Sequence, residues 1–281
     1  MKKVFFLLLA AGLLVACSQE EVNNASDGNN ETVTIKFSPY DVEAMTRATT
    51  SIATIATHLD VWIYESGNEV EAVHQTSSDA DFGSLTVNLN KTKTYTLYAV
   101  AHKATDAATL TDGVIAFPDD KVTHSMIYTT TFSPATTTNI NAEMTRIVGM
   151  LRFELADVVP ENVAKFVYTI EDTYTRWNFA GIGTNQTERV GTINLTSRNN
   201  DGGATLNLYI IPTNLADTDN INITFSAQDA SSNIIEERTF TDVPVKADYK
   251  TTYHGTFFVT SSETAAFTVE SDFTALDTVE Y

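Results

Sequence analysis

Five histidines, a single cysteine and several paired acids are the residues of this sequence whose chemistry could reach beyond packing. The histidines stand at 58, 74, 102, 124 and 254, with neither the HxH nor the HxxxH spacing that lets two imidazoles share a zinc ion, and with no cysteine beside them. His254, between Tyr253 and Gly255, reads as a strand-surface residue rather than a catalytic base. The pairs Asp119-Asp120, Glu171-Asp172 and Glu236-Glu237 could divide acid and base roles across a glycosidic bond only if two carboxyls faced each other at about 5–9 Å. Nothing in the sequence brings two together, and with 36 acidic against 17 basic residues a solvated surface is the simpler account. Asp217, Asp219 and Asn220 offer oxygen ligands without an EF-hand's spacing or glycine. Gly181 and Gly183 lack the third glycine and the βαβ setting of a dinucleotide turn, and GxSxG and P-loop patterns are absent. The expectation is a protein that is not an enzyme and holds no cofactor or metal.

The cysteine has a different meaning. Lys2 and Lys3 precede an almost unbroken apolar run over residues 4–15, too short to span a ~30 Å hydrocarbon core comfortably as a helix. Residues 1–16 therefore read as a signal peptide. Leu14, Val15, Ala16 and Cys17 resemble the lipobox of bacterial lipoproteins, in which the cysteine receives lipid, palmitate included, and becomes the first residue. Cys17 alone would be only an apolar residue at the end of the segment; signal, flanks and position together favour the anchor. Several acyl chains would hold it stably where one would not. With that cysteine acylated, no disulfide and no free thiolate remain. The formal charge of −19 grows more negative when Lys2 and Lys3 leave, which excludes a basic nucleic-acid surface. Residues 17–31, polar and without periodicity, form a tether. Their acidic start also resembles the short signals that send lipoproteins of Bacteroides-like bacteria to the outer face of the outer membrane.

The elements that must position everything else are strands. In residues 145–155, Ile147, Gly149, Leu151, Phe153 and Leu155 alternate with Arg146, Val148, Met150, Arg152 and Glu154, the two-residue period of a strand with one face on a core and two arginines on the other. A polar, threonine-rich stretch over 131–143 precedes it and suggests that one sheet-built unit ends there. Alternating strands are also expected at 33–37, 59–64, 85–89, 94–100, 165–170, 204–211, 221–225 and 253–259, with weaker ones near 239–240 and 266–269. Gly67 turns the chain after residue 64. A short helix is expected near 107–110, stopped by Gly113. No segment sustains a helical apolar stripe over three turns, so the fold class is all-β. Two tandem β-sandwich domains, 32–141 and 142–281, fit best; one large sandwich or jelly roll is the competitor. Eleven tyrosines and fifteen phenylalanines fall at strand spacing, as core and cross-strand packing requires.

These features together resemble the fimbrillin superfamily of Bacteroides-type bacteria, the lipoprotein precursors of type V pili with their anchor and accessory subunits. The residues that carry the resemblance are the lipobox at Cys17, the tether, Met45-Thr46-Arg47-Ala48, the 59–64 strand, residues 95–101 (YTLYAVA) and residues 146–153 (RIVGMLRF). The resemblance implies two transthyretin-like β-sandwich domains in a surface-exposed protein of the cell outer membrane, held by lipid on Cys17, with a role in cell adhesion. In polymerising members an arginine-specific protease cuts near the start of the first domain, and Arg47, followed by Ala48, matches that position. The first strand, residues 33–37, would leave. A strand of another pilus subunit would fill the groove, and residues 265–273, with Phe267 and Val269 in one phase, are the candidate donor. Anchor subunits keep their lipid and are not cut. Host or bacterial surface ligands are further partners of such a protein. The alternative is an outer-surface glycan-binding lipoprotein, for which Trp62, Trp177 and nearby tyrosines would have to cluster in solvent.

Overall fold

A computed structural model describes residues 28–39, 51–195 and 202–258, together with the backbone path of 267–275. The described residues form seventeen strands and two short 3-10 turns, at Ile52–Thr54 and Pro118–Asp120, and no α-helix. The all-β expectation therefore holds. The first sheet contains β1 (Asn30–Pro39), β2 (His58–Glu65), β3 (Asn68–Thr76), β4 (Ser84–Asn90), β5 (Tyr95–His102), β8 (Ser125–Phe132) and β9 (Asn139–Arg146), in the order β3-β2-β5-β8-β9-β1-β4. Only Met126↔Arg146 and Ile127↔Thr145 join β8 to β9, so the sheet curls at that seam. Val33, Ile35 and Phe37 of β1 then share one core with Leu59, Val61, Ile63, Leu97 and Ala99 from the other half.

The second sheet has the order β13-β10-β16-β17, from β10 (Gly149–Leu155), β13 (Ala204–Ile210), β16 (Tyr249–Gly255) and β17 (Phe267–Ala275). Opposite it lie β11 (Lys165–Asn178), β12 (Ile182–Asn194), β14 (Asp219–Gln228) and β15 (Ile234–Val245), where β15, β14 and β11 pair in turn and β12 pairs with β11. The core between them centres on Phe153, whose ring lies 4.8 Å from Phe225 and 4.9 Å from both Phe240 and a stacked Tyr253. Offset and edge-on aromatic packing of this kind adds about 0.5–1.5 kcal/mol per pair to area burial.

One arrangement occurs twice. In the first sheet β1 lies between β4, antiparallel, and β9, parallel, with β8 beyond β9. In the second, β10 lies between β13, antiparallel, and β16, parallel, with β17 beyond β16. The opening strand of each half is thus an interior strand, a repetition invisible in the residues themselves.

Two local expectations are corrected. Residues 145–155 are not one strand: β9 ends at Arg146 and β10 begins at Gly149. Ile147 and Val148 are both fully buried, so side chains of both phases enter apolar surroundings at the bend, and Arg146 and Met150 of the supposed outward face are buried too. The chain there steps from the first sheet to the second. Residues 107–110 are not helical; Thr109–Thr111 is β6, paired with β7 (Val114–Ala116). Asp112 and Gly113 between them have φ of 51° and 75°, the two left-handed residues of a type I′ hairpin turn. This hairpin precedes β8 in the chain yet adds to the far sheet, with Trp177 of β11 opposite Ile115 of β7. A third core joins the halves through Trp62, Val100, Ile115, Phe117, Ile147, Val148, Trp177 and Ile211.

Candidate functional site

The arrangement with the clearest functional content is β1 in its slot. Its apolar residues alternate, and Val33 and Ile35 are fully buried with Phe37 nearly so. Residues Asn30 to Lys36 pair with β4, and Thr34 to Pro39 pair with β9. Just beyond the ladders, the Thr34 amide donates to the Thr138 carbonyl and the Phe37 amide to the Gly83 carbonyl, both at 2.9 Å. Three side chains buried to this depth contribute about 6 kcal/mol. Taking the strand away would leave that apolar slot open together with two rows of unpaired backbone groups. A cavity of about 540 Å³ lies at the C-terminal end of β1, lined by Phe37, Ile52, Phe82 and Gly83 among others. Ile52 packs there so closely that a Cβ on Gly83 would meet its Cγ2 at 2.7 Å.

The histidines that fall singly in sequence do not fall singly in space. Antiparallel pairing sets Asp60 of β2 opposite His74 of β3, and His58 opposite His102 of β5. Asp60 is nearly fully buried and binds His74 Nδ1 through Oδ1 at 2.6 Å and His102 Nε2 through Oδ2 at 2.9 Å, while the Ala108 amide donates to Oδ2 at 2.9 Å. The Ala104 amide donates to His102 Nδ1, which places that ring's proton on Nε2, facing the carboxylate. The His58 ring stacks between those of His74 and His102, 5.3 Å from each, and its buried Nδ1 has no partner. Burial, reinforced by the two neighbouring imidazoles, lowers the His58 pKa. Among the described residues no group of three histidines, cysteines or acids is disposed to hold a metal ion. The cluster joins three strands and the loop before β6.

A second buried network sits at the step between the sheets. Arg146 Nε donates to His124 Nε2 at 2.7 Å, and His124 Nδ1 donates to the Ile55 carbonyl at 3.2 Å, so the imidazole is neutral with its proton on Nδ1. Burial, and next the Arg146 charge, push the His124 pKa down to about 3. The other side of the guanidinium pairs with Asp248, just before β16. Both arginines of this stretch have an acidic partner: Asp248 for Arg146, and Glu154 for Arg152 at 3.2 Å.

Glu171 and Asp172 line a cavity of about 380 Å³ together with Asp219, and Asp119 and Asp120 line another with Glu188, but the paired carboxylates are engaged by neighbouring groups or lie at a turn or bulge. Glu236 and Glu237, consecutive in a strand, point to opposite faces; Glu236 pairs with Arg238, and Glu237 accepts from Ser226. Asp119 and Asp120 occupy a turn with left-handed φ, and Asp120 pairs with Arg176. Asp172 has φ 50° at the bulge in β11. Asp219 accepts from the Thr213 amide and Asp217 from Asn214 Nδ2, which uses both carboxylates to lock their loop. His254 pairs with Glu154 on the sheet surface at 2.9 Å. Trp177 is completely buried and Trp62 nearly so, both in the core that joins the halves. Cys17, Arg47 and Ala48 lie outside the described residues, and Phe267 and Val269 are defined in backbone only, opposite Gly255 and Tyr253 of β16.

No protein-family model matches the sequence, and no curated protein matches it. Solved structures do match in fold. A provisionally named polysaccharide-binding protein of Bacteroides thetaiotaomicron superposes with a TM-score of 0.55 at 12% identity, over 88% of this chain and 98% of its own. A provisionally named adhesin of Bacteroides ovatus gives 0.52 at 9% identity, over 86% and 96%. A second such adhesin, from Bacteroides thetaiotaomicron, gives 0.50 at 12%, over 87% and 97%. The chain therefore has the fold of these proteins over nearly the whole of both lengths.

Proposed function

We propose that the protein is a cell-surface adhesion protein of fimbrial type: a lipoprotein of the outer membrane, anchored through Cys17, that serves as a pilus subunit or as its anchor. The observation that carries the reading is the place of β1, an interior strand with an apolar face, joined to the rest of the sheet by a segment that contains Arg47. In the polymerising form a protease cuts after Arg47, β1 departs with the lipidated segment, and a strand of a neighbouring subunit restores both ladders by β-addition. Residues 265–273 are the candidate donor; β17 borders the second sheet with β16 as its partner there, so donation exchanges one ladder for another. The recurrence of the four-strand arrangement supports two tandem transthyretin-like sandwiches, 32–141 and 142–281, after a tether at 17–31. The fold shared with provisionally named adhesins supports the surface role. A glycan-binding lipoprotein is the alternative, and the name of one fold relative favours it. Burial of both tryptophans removes the aromatic platform that it would have used.

The test is intact mass and N-terminal sequencing of the protein taken from its native surface. A chain that begins at Ala48 supports the shaft form. A chain that still begins at acylated Cys17 leaves the anchor, and a chain with an unmodified Cys17 behind an intact signal segment overturns the lipoprotein reading.

A further inference from the structure

Arg189 is the one guanidinium among the described residues that is deeply buried and has no carboxylate in ion-pair distance. All its bonds go to neutral acceptors: Nη1 to the Tyr209 carbonyl at 2.7 Å, and Nη2 to the Val122 carbonyl at 3.2 Å and the Tyr168 hydroxyl at 3.1 Å. The Tyr168 ring lies 5.6 Å from the guanidinium carbon. That ring is laid flat across β12 because residue 191, its cross-strand partner, is glycine; a Cβ there would stand 2.2 Å from Tyr168 Cζ. Sequence and packing thus hold an uncompensated cation at a fixed place, which is costly unless something of opposite charge is to meet it.

Beside it is a cavity of about 270 Å³ at the seam between the segment before β8 and strands β11, β12 and β13. Lys103, Lys121 and Arg189 all line it, and none of its lining residues is acidic. In a chain with 36 acids against 17 bases, three cations around one cavity stand out from the surface average. Thr192, Asn207 and the Tyr168 hydroxyl supply uncharged hydrogen-bonding groups. Asp119, Asp120 and Glu188 line an adjoining groove that shares Lys121, Tyr168, Arg189 and Thr192 with this cavity, and there Asp120 is engaged by Arg176. Burial lowers the pKa of both Arg189 and Lys103, as expected of cations short of solvation.

We infer that this cavity binds a carboxylate-bearing ligand of the size of one sugar residue, a uronic acid, with the carboxylate held by Lys103, Lys121 and Arg189 and the ring hydroxyls by Thr192 and Asn207. A single pyranose fits the volume, and charge-assisted bonds to a carboxylate are the strongest polar contacts such a wall can make. The inference goes beyond the fimbrial reading and does not depend on strand exchange.

The test is titration of the purified protein with glucuronate, glucose and inorganic sulfate, followed by NMR at low salt. Saturable glucuronate binding, at least tenfold tighter than glucose and weakened about fivefold by Lys121→Gln or Lys103→Gln, is the expected result. Lys121 is exposed, so its substitution leaves the fold intact. No saturable binding of glucuronate, equal binding of glucose, or affinity untouched by both lysine substitutions would overturn the site. Sulfate binding as tight as glucuronate would overturn its selectivity for a sugar acid and leave a bare anion site.

Discussion

His124 and Arg146 show how a buried imidazole makes stability depend on pH. Folded, His124 must accept a bond from Arg146 and therefore stays neutral down to about pH 3; unfolded, it takes up a proton near its ordinary 6.5. Between those values the unfolded chain binds the extra proton, so stability is full above about pH 6.5 and falls as pH drops toward 3. From pH 7.5 to pH 5.0 the loss from His124 is about 2 kcal/mol. His58, lowered by burial and its imidazole neighbours, adds in the same direction. Urea titrations at the two pH values should show that loss, and His124→Gln, which keeps an acceptor for Arg146, should reduce the difference by about 2 kcal/mol. A pH difference identical in the variant would mean that His124 is not the source of the pH dependence. The site around Asp60 was partly legible: His58 and Asp60 share one strand face, and the Ser66-Gly67 turn sets residues of β3 opposite them. What hid it was β3 itself.

Strands that bury one face announce themselves by alternation, and β2, β5, β10, β11, β13 and β16 were read that way. β3 and β12 were not, because both are largely wet: β3 is exposed over Asn68 to Ala72, and β12 over Asn185 to Glu188, so neither has apolar residues at every second position. Without β3 no register could place His74 at Asp60. The β6–β7 hairpin was missed for another reason: three-residue strands are too short for a period, and the Asp112-Gly113 turn was the only local signal. The step between the sheets misled in the opposite sense, since a single alternation ran through a bend that tertiary packing imposes at Ile147 and Val148. Gly149 makes that bend possible. A Cβ on it would stand 2.5 Å from the Lys246 carbonyl oxygen and 2.9 Å from Val245 Cγ1, both on well-packed chain. Gly149→Ala should therefore lower unfolding stability by about 2 kcal/mol or more, read as a lower urea midpoint at unchanged slope. A neutral outcome would show that the 246–248 turn yields freely.

At the scale of the whole molecule, the two halves are joined by more than a linker. The β6–β7 hairpin crosses from one to the other, Arg146 reaches Asp248, and Trp62 and Trp177 meet in a shared core. This matters for the proposed strand exchange, in which the first sheet would have to survive the loss of β1 long enough to receive another strand. In the intact chain β2, β5 and β8 pair in turn, and the shared core holds the second half against the first. The slot that opens is lined by β4 and β9 and by the residues that faced Val33, Ile35 and Phe37. Its exposed ladders and apolar floor would make a subunit without β1 prone to pair with any suitable strand.

The most direct measurement is digestion of the purified protein with an arginine-specific protease, followed by electrophoresis in SDS with and without heating. Strand exchange predicts release of the segment ending at Arg47, a new N-terminus at Ala48, and a ladder of oligomers that survives SDS and collapses to one band on boiling. A chain cut at Arg47 that stays monomeric, or one that resists cutting there while folded, would contradict a polymer built through the β1 slot.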